Sequence, residues 1–232
     1  MKKLILILLI CLAATGCGPV KTKVNTESAI EKNDAIKFKE EYELLNGETN
    51  SSGNAYRTIS ISEDNPFVYA TAEDIVEKIE NKETFYVYFG SSYCPWCRSV
   101  LEKAIEVAKE NDINTIYYVD IWDGDHVEIL RDTYELNDKG KTKLVSEGTK
   151  AYKKLLKYFD NVLSDYNLTD KNGKKVSVGE KRIFAPNFIY VENGKSIKLI
   201  EGISEKQTNP REELTNIILK DEEKQFNNFF SK

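Results

Sequence analysis

Residues 84–110, TFYVYFGSSYCPWCRSVLEKAIEVAKE, constrain the fold more than any other stretch. The run TFYVYFG is β-branched or aromatic almost throughout, the composition of a strand buried on both faces. Gly90, Ser91 and Ser92 then turn the chain. From Pro95 onward Val100, Leu101, Ala104, Ile105 and Ala108 recur at helical spacing, which predicts an amphipathic helix. Cys94 and Cys97 stand at the junction, two residues apart. Three chemistries compete for such a pair: thiol–disulfide exchange, half of a metal site, or a local structural disulfide.

The flanking sequence predicts a mixed order of strands and helices. PFVYA (66–70) reads as a short strand, and Thr71 with Asp74 three residues on reads as a near capping box opening a helix with Ile75, Val76 and Ile79 on its inner face. NTIYYVDI (114–121) is a second buried strand. Asn193-Gly194, between two alternating runs in APNFIYVENGKSIKLIEG (185–202), is a hairpin signal. The stretch 122–183 interrupts the strands. It carries helical patterns at DHVEILRDTYEL (125–136) and GTKAYKKLLKYFDNVLSDY (148–166), then a turn or hairpin at TDKNGKKVSVGEKR (169–182). Residues 209–230 read as a terminal helix with Pro210 in its first turn. Ahead of the strands, AIKFKEEYELLNG (35–47) reads as a short amphipathic helix, and YRTISIS (56–62) alternates like a strand with Ile59 and Ile61 on one face.

The first residues obey a different logic. Lys2 and Lys3 precede an apolar run over 4–14, and small residues lead to Cys17, the pattern of a secretory signal. The run is shorter than the roughly 20 residues of a transmembrane helix. AATGC (13–17) resembles a bacterial lipobox, which implies cleavage before Cys17 and lipidation of that cysteine. The expected division is a signal peptide at 1–16, the lipidated cysteine and a polar tether at 17–37, an N-terminal extension at 38–64, and the main domain at 65–232.

Of the four cysteines, Cys11 leaves with the signal and Cys17 carries lipid, so that Cys94 and Cys97 are the only thiols of the exported chain. Nothing remains for a long-range disulfide framework. The formal charge of −5 becomes more negative by the loss of Lys2 and Lys3, and no basic tract stands out, which argues against a nucleic-acid partner.

A structural zinc site takes about four ligands. The exported chain offers Cys94, Cys97 and its single histidine, His126, and has no second CxxC, so no metal is expected. A disulfide between residues 94 and 97 closes a loop too small to stabilise much. Exchange chemistry fits better. A cysteine at a helix N-terminus faces unpaired N–H groups and the positive end of the helix dipole, which favour the thiolate. Cys94 is the expected nucleophile, and Cys97, one turn on, the resolving thiol that closes a redox-active Cys94–Cys97 disulfide. Pro95 fits the first turn. Pro95 and Trp96, between the thiols, are candidate substrate-binding residues, with Trp96 otherwise packing on Tyr93, and Arg98 is a candidate for electrostatic support of the thiolate or a solvated charge.

TFYVYFGSSYCPWCRSVLEKAIEVA, NTIYYVDI and RIFAPNFIYVENGKSIKLIEG together resemble the thioredoxin-fold family of thiol–disulfide oxidoreductases over about residues 65–230. The lipobox, the CPWC motif and the long insert are similar to exported lipoprotein members from Gram-positive bacteria, near the bacteriocin-transport accessory proteins. The resemblance implies an α/β thioredoxin fold, a mixed central sheet flanked by helices, with a helical insertion at about 122–183 before a cis-proline strand. It places Pro186 at the cis-proline and Ala185 as the residue whose backbone binds an extended client. It implies no cofactor, clients that are exported protein thiols or disulfides, a membrane or extracytoplasmic redox partner, and a lipid anchor on the extracytoplasmic face. A non-catalytic accessory to peptide or bacteriocin export is the competing reading. One departure stands out: where thioredoxins carry a buried aspartate, six residues before the first cysteine, this chain has Tyr88, with Glu83 and Asp120 as candidate substitutes.

Overall fold

The computed structural model describes residues 26–122, 127 and 129–231. Cys11, Cys17 and His126 therefore lie outside the described residues, as does the whole stretch expected to be a signal peptide. Among the described residues no helix is long and apolar enough to cross a membrane.

The alternation of buried strands with amphipathic helices resolves into a sheet covered on both faces. Helix α1 (Thr26–Glu43) is followed by β1 (Phe67–Tyr69), α2 (Ala72–Glu80), β2 (Phe85–Gly90), α3 (Pro95–Glu110) and β3 (Ile116–Asp120). After the insert come β8 (Asn187–Glu192), β9 (Lys195–Ile200) and α5 (Asn216–Phe230). The sheet order is β1-β3-β2-β8-β9. Strand β3 pairs parallel with β1 and β2, while β2–β8 and β8–β9 are antiparallel. The chain is thus a mixed α/β protein with a mixed central sheet.

Alternation along the central strands divides the core in two. On one face Tyr88, Tyr118 and Phe188 pack against Phe38 and Tyr42 of α1, Val100, Leu101 and Ala104 of α3, and Phe226 and Phe229 of α5. On the other, Val87, Phe89, Val119 and Ile189 meet Ile75 and Ile79 of α2 and the insert's Tyr152 and Leu155. Central strands buried on both sides explain the near-continuous apolar run of β2.

Local signals account for several boundaries. Thr71 and Asp74 exchange the two hydrogen bonds of a capping box, Asp74 N–H to Thr71 Oγ1 at 3.1 Å and Thr71 N–H to Asp74 Oδ2 at 2.8 Å. The β8–β9 hairpin turns on Asn193 and Gly194, both at positive φ (51° and 73°). A Cβ on Gly194 would collide with the Ile79 carbonyl, so the turn has two reasons to carry glycine there.

The insert corrects the helical expectation. Its elements are β4 (Thr133–Leu136), β5 (Thr142–Ser146), α4 (Lys150–Tyr158), β6 (Ser164–Thr169) and β7 (Lys175–Arg182). Among the described residues it consists of two hairpins around a single nine-residue helix. Of the first expected helix, residues 125, 126 and 128 lie outside the described residues, and its end, Thr133–Leu136, is instead β4, turned into β5 at Asn137, whose Oδ1 accepts from the N–H groups of Lys139 and Lys141, both at 3.0 Å, and at Gly140, φ 69°. The second expected helix stops at Phe159, and Tyr166 belongs to β6.

Three other expectations shift. Helix α1 starts at Thr26, so residues 26–37 of the expected tether are helical. Residues 56–62 form no strand, although Ile59 and Ile61 are buried as their alternation predicts. Their N–H groups find side chains instead of a partner strand: Ile59 N–H bonds Asn46 Oδ1 (3.0 Å) and Ile61 N–H bonds Glu43 Oε1 (2.7 Å). Finally α5 begins after Thr215, whose hydroxyl caps it, and Pro210 lies in the preceding loop.

Candidate active site

Strand β2 delivers the chain to the turn at Ser91 and Ser92, where Cys94 N–H bonds the Ser91 carbonyl at 3.1 Å. Cys94 is the N-cap of α3, and its sulfur accepts the Cys97 N–H at 3.3 Å, doing the work a serine or aspartate usually does at that position. Pro95 occupies the first helical position. Both cysteines are free thiols. Cys94 retains 7% exposure and Cys97 none.

The second wall comes from the far side of the insert. The Ala185–Pro186 peptide bond is cis. The thiol of Cys94 reaches the Ala185 carbonyl at 3.5 Å across 91 residues of sequence. Asn187 braces this segment: its Oδ1 accepts the Phe184 N–H at 2.7 Å, and its Nδ2 donates to the Pro186 carbonyl at 2.9 Å. Cys94, Cys97, Ala185 and Pro186 are therefore brought together. Pro95 and Trp96 are half-buried beside them, Trp96 packed against the core face that holds Cys97.

The two thiols differ electrostatically. Cys94 is held below the ordinary thiol range, first by a hydrogen bond from the Cys97 thiol, then by the backbone N–H groups of Cys97 and Trp96 and the charge of Arg131, against the opposing effect of burial. Cys97 is pushed well above that range, first by burial and then by Cys94, with Tyr88 acting in the opposite direction. Cys94 is thereby the more acidic of the two thiols and Cys97 the less.

Arg98 does not fill the role offered to it. It is fully buried, and its guanidinium donates to the carbonyls of Arg57 (2.9 and 2.6 Å), Tyr42 (2.7 Å) and Ser92 (3.3 Å) and to Asn46 Oδ1 (2.9 Å). It is neither a solvated charge nor aimed at the thiols. Arg131 of the insert is a cation that acts to lower the Cys94 pKa, and its Nη1 bonds the Ile183 carbonyl at 3.2 Å, two residues before Ala185. Nothing in the sequence distinguishes Arg131 from its neighbours. Asn187, next to Pro186, was the more findable brace.

Of the two candidate acids, Glu83 precedes β2 at the end opposite Cys94 and pairs with Lys78 at 3.1 Å. Asp120 lies across from Gly90 at the cysteine end, and burial raises its carboxyl to about 7. Trp122 is half-buried, with its backbone N–H bonded to Asp120 Oδ1 at 3.1 Å. Among the described residues no group of three or more His, Cys, Asp or Glu side chains gathers as metal ligands do. No family model and no curated protein sequence matches this chain.

Proposed function

We propose that the chain is a thioredoxin-fold thiol–disulfide oxidoreductase. The observation that carries this reading is the asymmetry of the two thiols at the head of α3, with the lowered one 3.5 Å from the carbonyl of Ala185 beside a cis-proline. The Cys94 thiolate attacks a client disulfide, one client sulfur leaves as thiolate, and a mixed disulfide forms. Cys97 then displaces the second client sulfur and the Cys94–Cys97 disulfide closes. Run backwards, the same steps oxidise a client. The edge of the Ala185–Pro186 segment receives an extended client backbone. Clients are exported proteins, a lipid on Cys17 holds the domain on the extracytoplasmic face, and a membrane or extracytoplasmic redox partner recycles the pair.

The test uses purified protein and a model protein disulfide. Turnover that vanishes in Cys94→Ser, with a trapped mixed disulfide in Cys97→Ser, supports the reading; a native protein that neither reduces nor oxidises any model disulfide refutes it. A reduction potential near about −270 mV then makes it a reductase, and one near about −120 mV an oxidase. A second reading, a client-binding accessory to peptide export, draws on the insert, whose β5 strand leaves Leu144 and Val145 exposed. It requires one dedicated partner to be retained by the Cys97→Ser variant where an enzyme collects several. Anchoring is tested separately, by release of a Cys17→Ala chain from membranes.

A further inference from the structure

The resolving thiol poses a chemical problem that the cysteine pair does not solve. Cys97 has no exposed surface, and burial drives its proton affinity up, yet it must become a thiolate to attack. On the sheet side of the same buried cluster stands the hydroxyl of Tyr88, which together with the Ser91 backbone N–H acts to lower the proton affinity of Cys97. Tyr88 and Tyr42 are both fully buried, and their hydroxyl oxygens stand 3.1 Å apart.

The position of that hydroxyl is set by packing. The Tyr88 ring is stacked between Phe188 (centroids 4.5 Å, 22°) and Tyr118 (5.6 Å, 21°). It lies along β2 over Gly90, where a Cβ would collide with Cζ and the hydroxyl. Position 90 thus has to be glycine for the ring to point its hydroxyl at the cysteine end of the strand. Tyr42 comes from α1, which packs on β1 and supplies Phe38 and Tyr42 to this face. The other ionisable groups around the pair are Cys94 at the head of α3, Arg98 on α3, whose guanidinium bonds the Tyr42 carbonyl, Glu41 on α1, and Tyr118 and Asp120 on β3.

We propose that Tyr88 is a catalytic residue of the resolving step and that Tyr42 is its positioning residue. This rests on the thiol–disulfide reading above. In the step, the Cys97 S–H bond breaks and Cys97 sulfur bonds Cys94 sulfur. The Cys94–client bond breaks, its electron pair goes to the client sulfur, and that sulfur takes up a proton, so no proton is gained or lost overall. Tyr88 donates to Cys97 sulfur as its negative charge develops, and Tyr42 donates to the Tyr88 oxygen. With Cys97 protonated the row reverses, because each hydroxyl can donate or accept. Buried phenols stay protonated at neutral pH, so the donors are always present.

The test mixes the full chain with excess dithionitrobenzoate in a stopped-flow instrument. The first equivalent of thionitrobenzoate reports attack by Cys94, the second reports resolution by Cys97. Loss of one hydrogen bond to a charged sulfur slows the second phase relative to the first by about tenfold in Tyr88→Phe. Tyr42→Phe slows it by about threefold, and both move the pH midpoint of the second phase upward. Phenylalanine keeps the stacked ring, and Tyr42→Phe gives the answer alone if Tyr88→Phe does not fold. The proposal is overturned if the ratio of the phases stays within about twofold of native in both variants between about pH 6 and about pH 9, or if both phases slow together. A native chain that releases no second equivalent refutes the oxidoreductase reading itself, an outcome distinct from unchanged variants.

Discussion

Arg98 makes the sharpest energetic prediction in the molecule. It is a fully buried cation whose five hydrogen bonds reach four oxygens, three of them backbone carbonyls and none a carboxylate. Truncation to methionine keeps much of the apolar stem and leaves those oxygens without a donor. Hydrogen bonds to a charged group are worth roughly 1.5–3 kcal/mol each, but they do not add, and the native state already bears the cost of desolvating the guanidinium. Breaking one side of a buried charged network costs about 3–5 kcal/mol, and Arg98→Met should fall in that range. Arg98→Lys keeps the charge but not the planar fork, so it should recover less than half of the loss. Urea unfolding followed by tryptophan fluorescence measures both, provided the slope with denaturant is unchanged. A loss of less than about 1 kcal/mol in Arg98→Met would show that water replaces the guanidinium and that the clamp contributes little. The thiols supply a control. Arg131→Met should raise the pKa of Cys94, read as the pH dependence of its alkylation, and Arg98→Lys should not.

Two further outcomes follow from the charge environment. At neutral pH, limiting iodoacetamide should label Cys94 and spare Cys97 in the reduced protein, by peptide mass; equal labelling would contradict the opposed shifts of the two thiols. Glu222 on α5 is fully buried, neither carboxyl oxygen has a hydrogen-bond partner, and burial raises its pKa from 4.5 to about 8. Because the folded state binds this proton more tightly than the unfolded chain, stability is highest below the lower value and is lost as pH rises between the two. The slope reaches at most about 1.4 kcal/mol per pH unit, and Glu222→Gln should flatten that part of the profile; parallel native and variant curves would sink the assignment.

Legibility in the sequence followed the range of the interactions involved. The β1–α2–β2–α3–β3 run and the β8–β9 hairpin were readable because buried strands, the Thr71 capping box and Asn193-Gly194 are local signals. The insert was misread at Thr133–Leu136, which pairs with β5 through the Asn137–Gly140 turn instead of continuing a helix. The spacing at 148–166 stayed helical past Phe159, although Leu163 reaches the core from beyond the end of α4. Cys94, Cys97, Ala185 and Pro186 were legible as a set through the motif and the resemblance. Arg98 was not, since the carbonyls that converge on it lie as far as 56 residues away and carry no side-chain signature. Tyr88 stood out only as the departure from the expected buried aspartate, and it takes the packing around β2 to place its hydroxyl at the cysteine end of the strand, beside Tyr42.

The joint at Arg57 also governs when the molecule can finish folding. Its carbonyl receives Arg98 across 41 residues, and its guanidinium donates to the carbonyls of Pro210, across 153 residues, and Glu212. Contacts of that span add loop-closure entropy that nearer contacts do not, and they are expected to form late. A nascent chain that has not yet delivered residues 210–212 leaves Arg57 half-engaged and the underside of the cysteine helix unsecured. Delivery of residues 210–212, and not of the cysteine motif alone, is therefore expected before α3 is secured beneath the thiols. Chains ending near residue 205 should accordingly keep both cysteines open to alkylation, while the full-length chain protects Cys97.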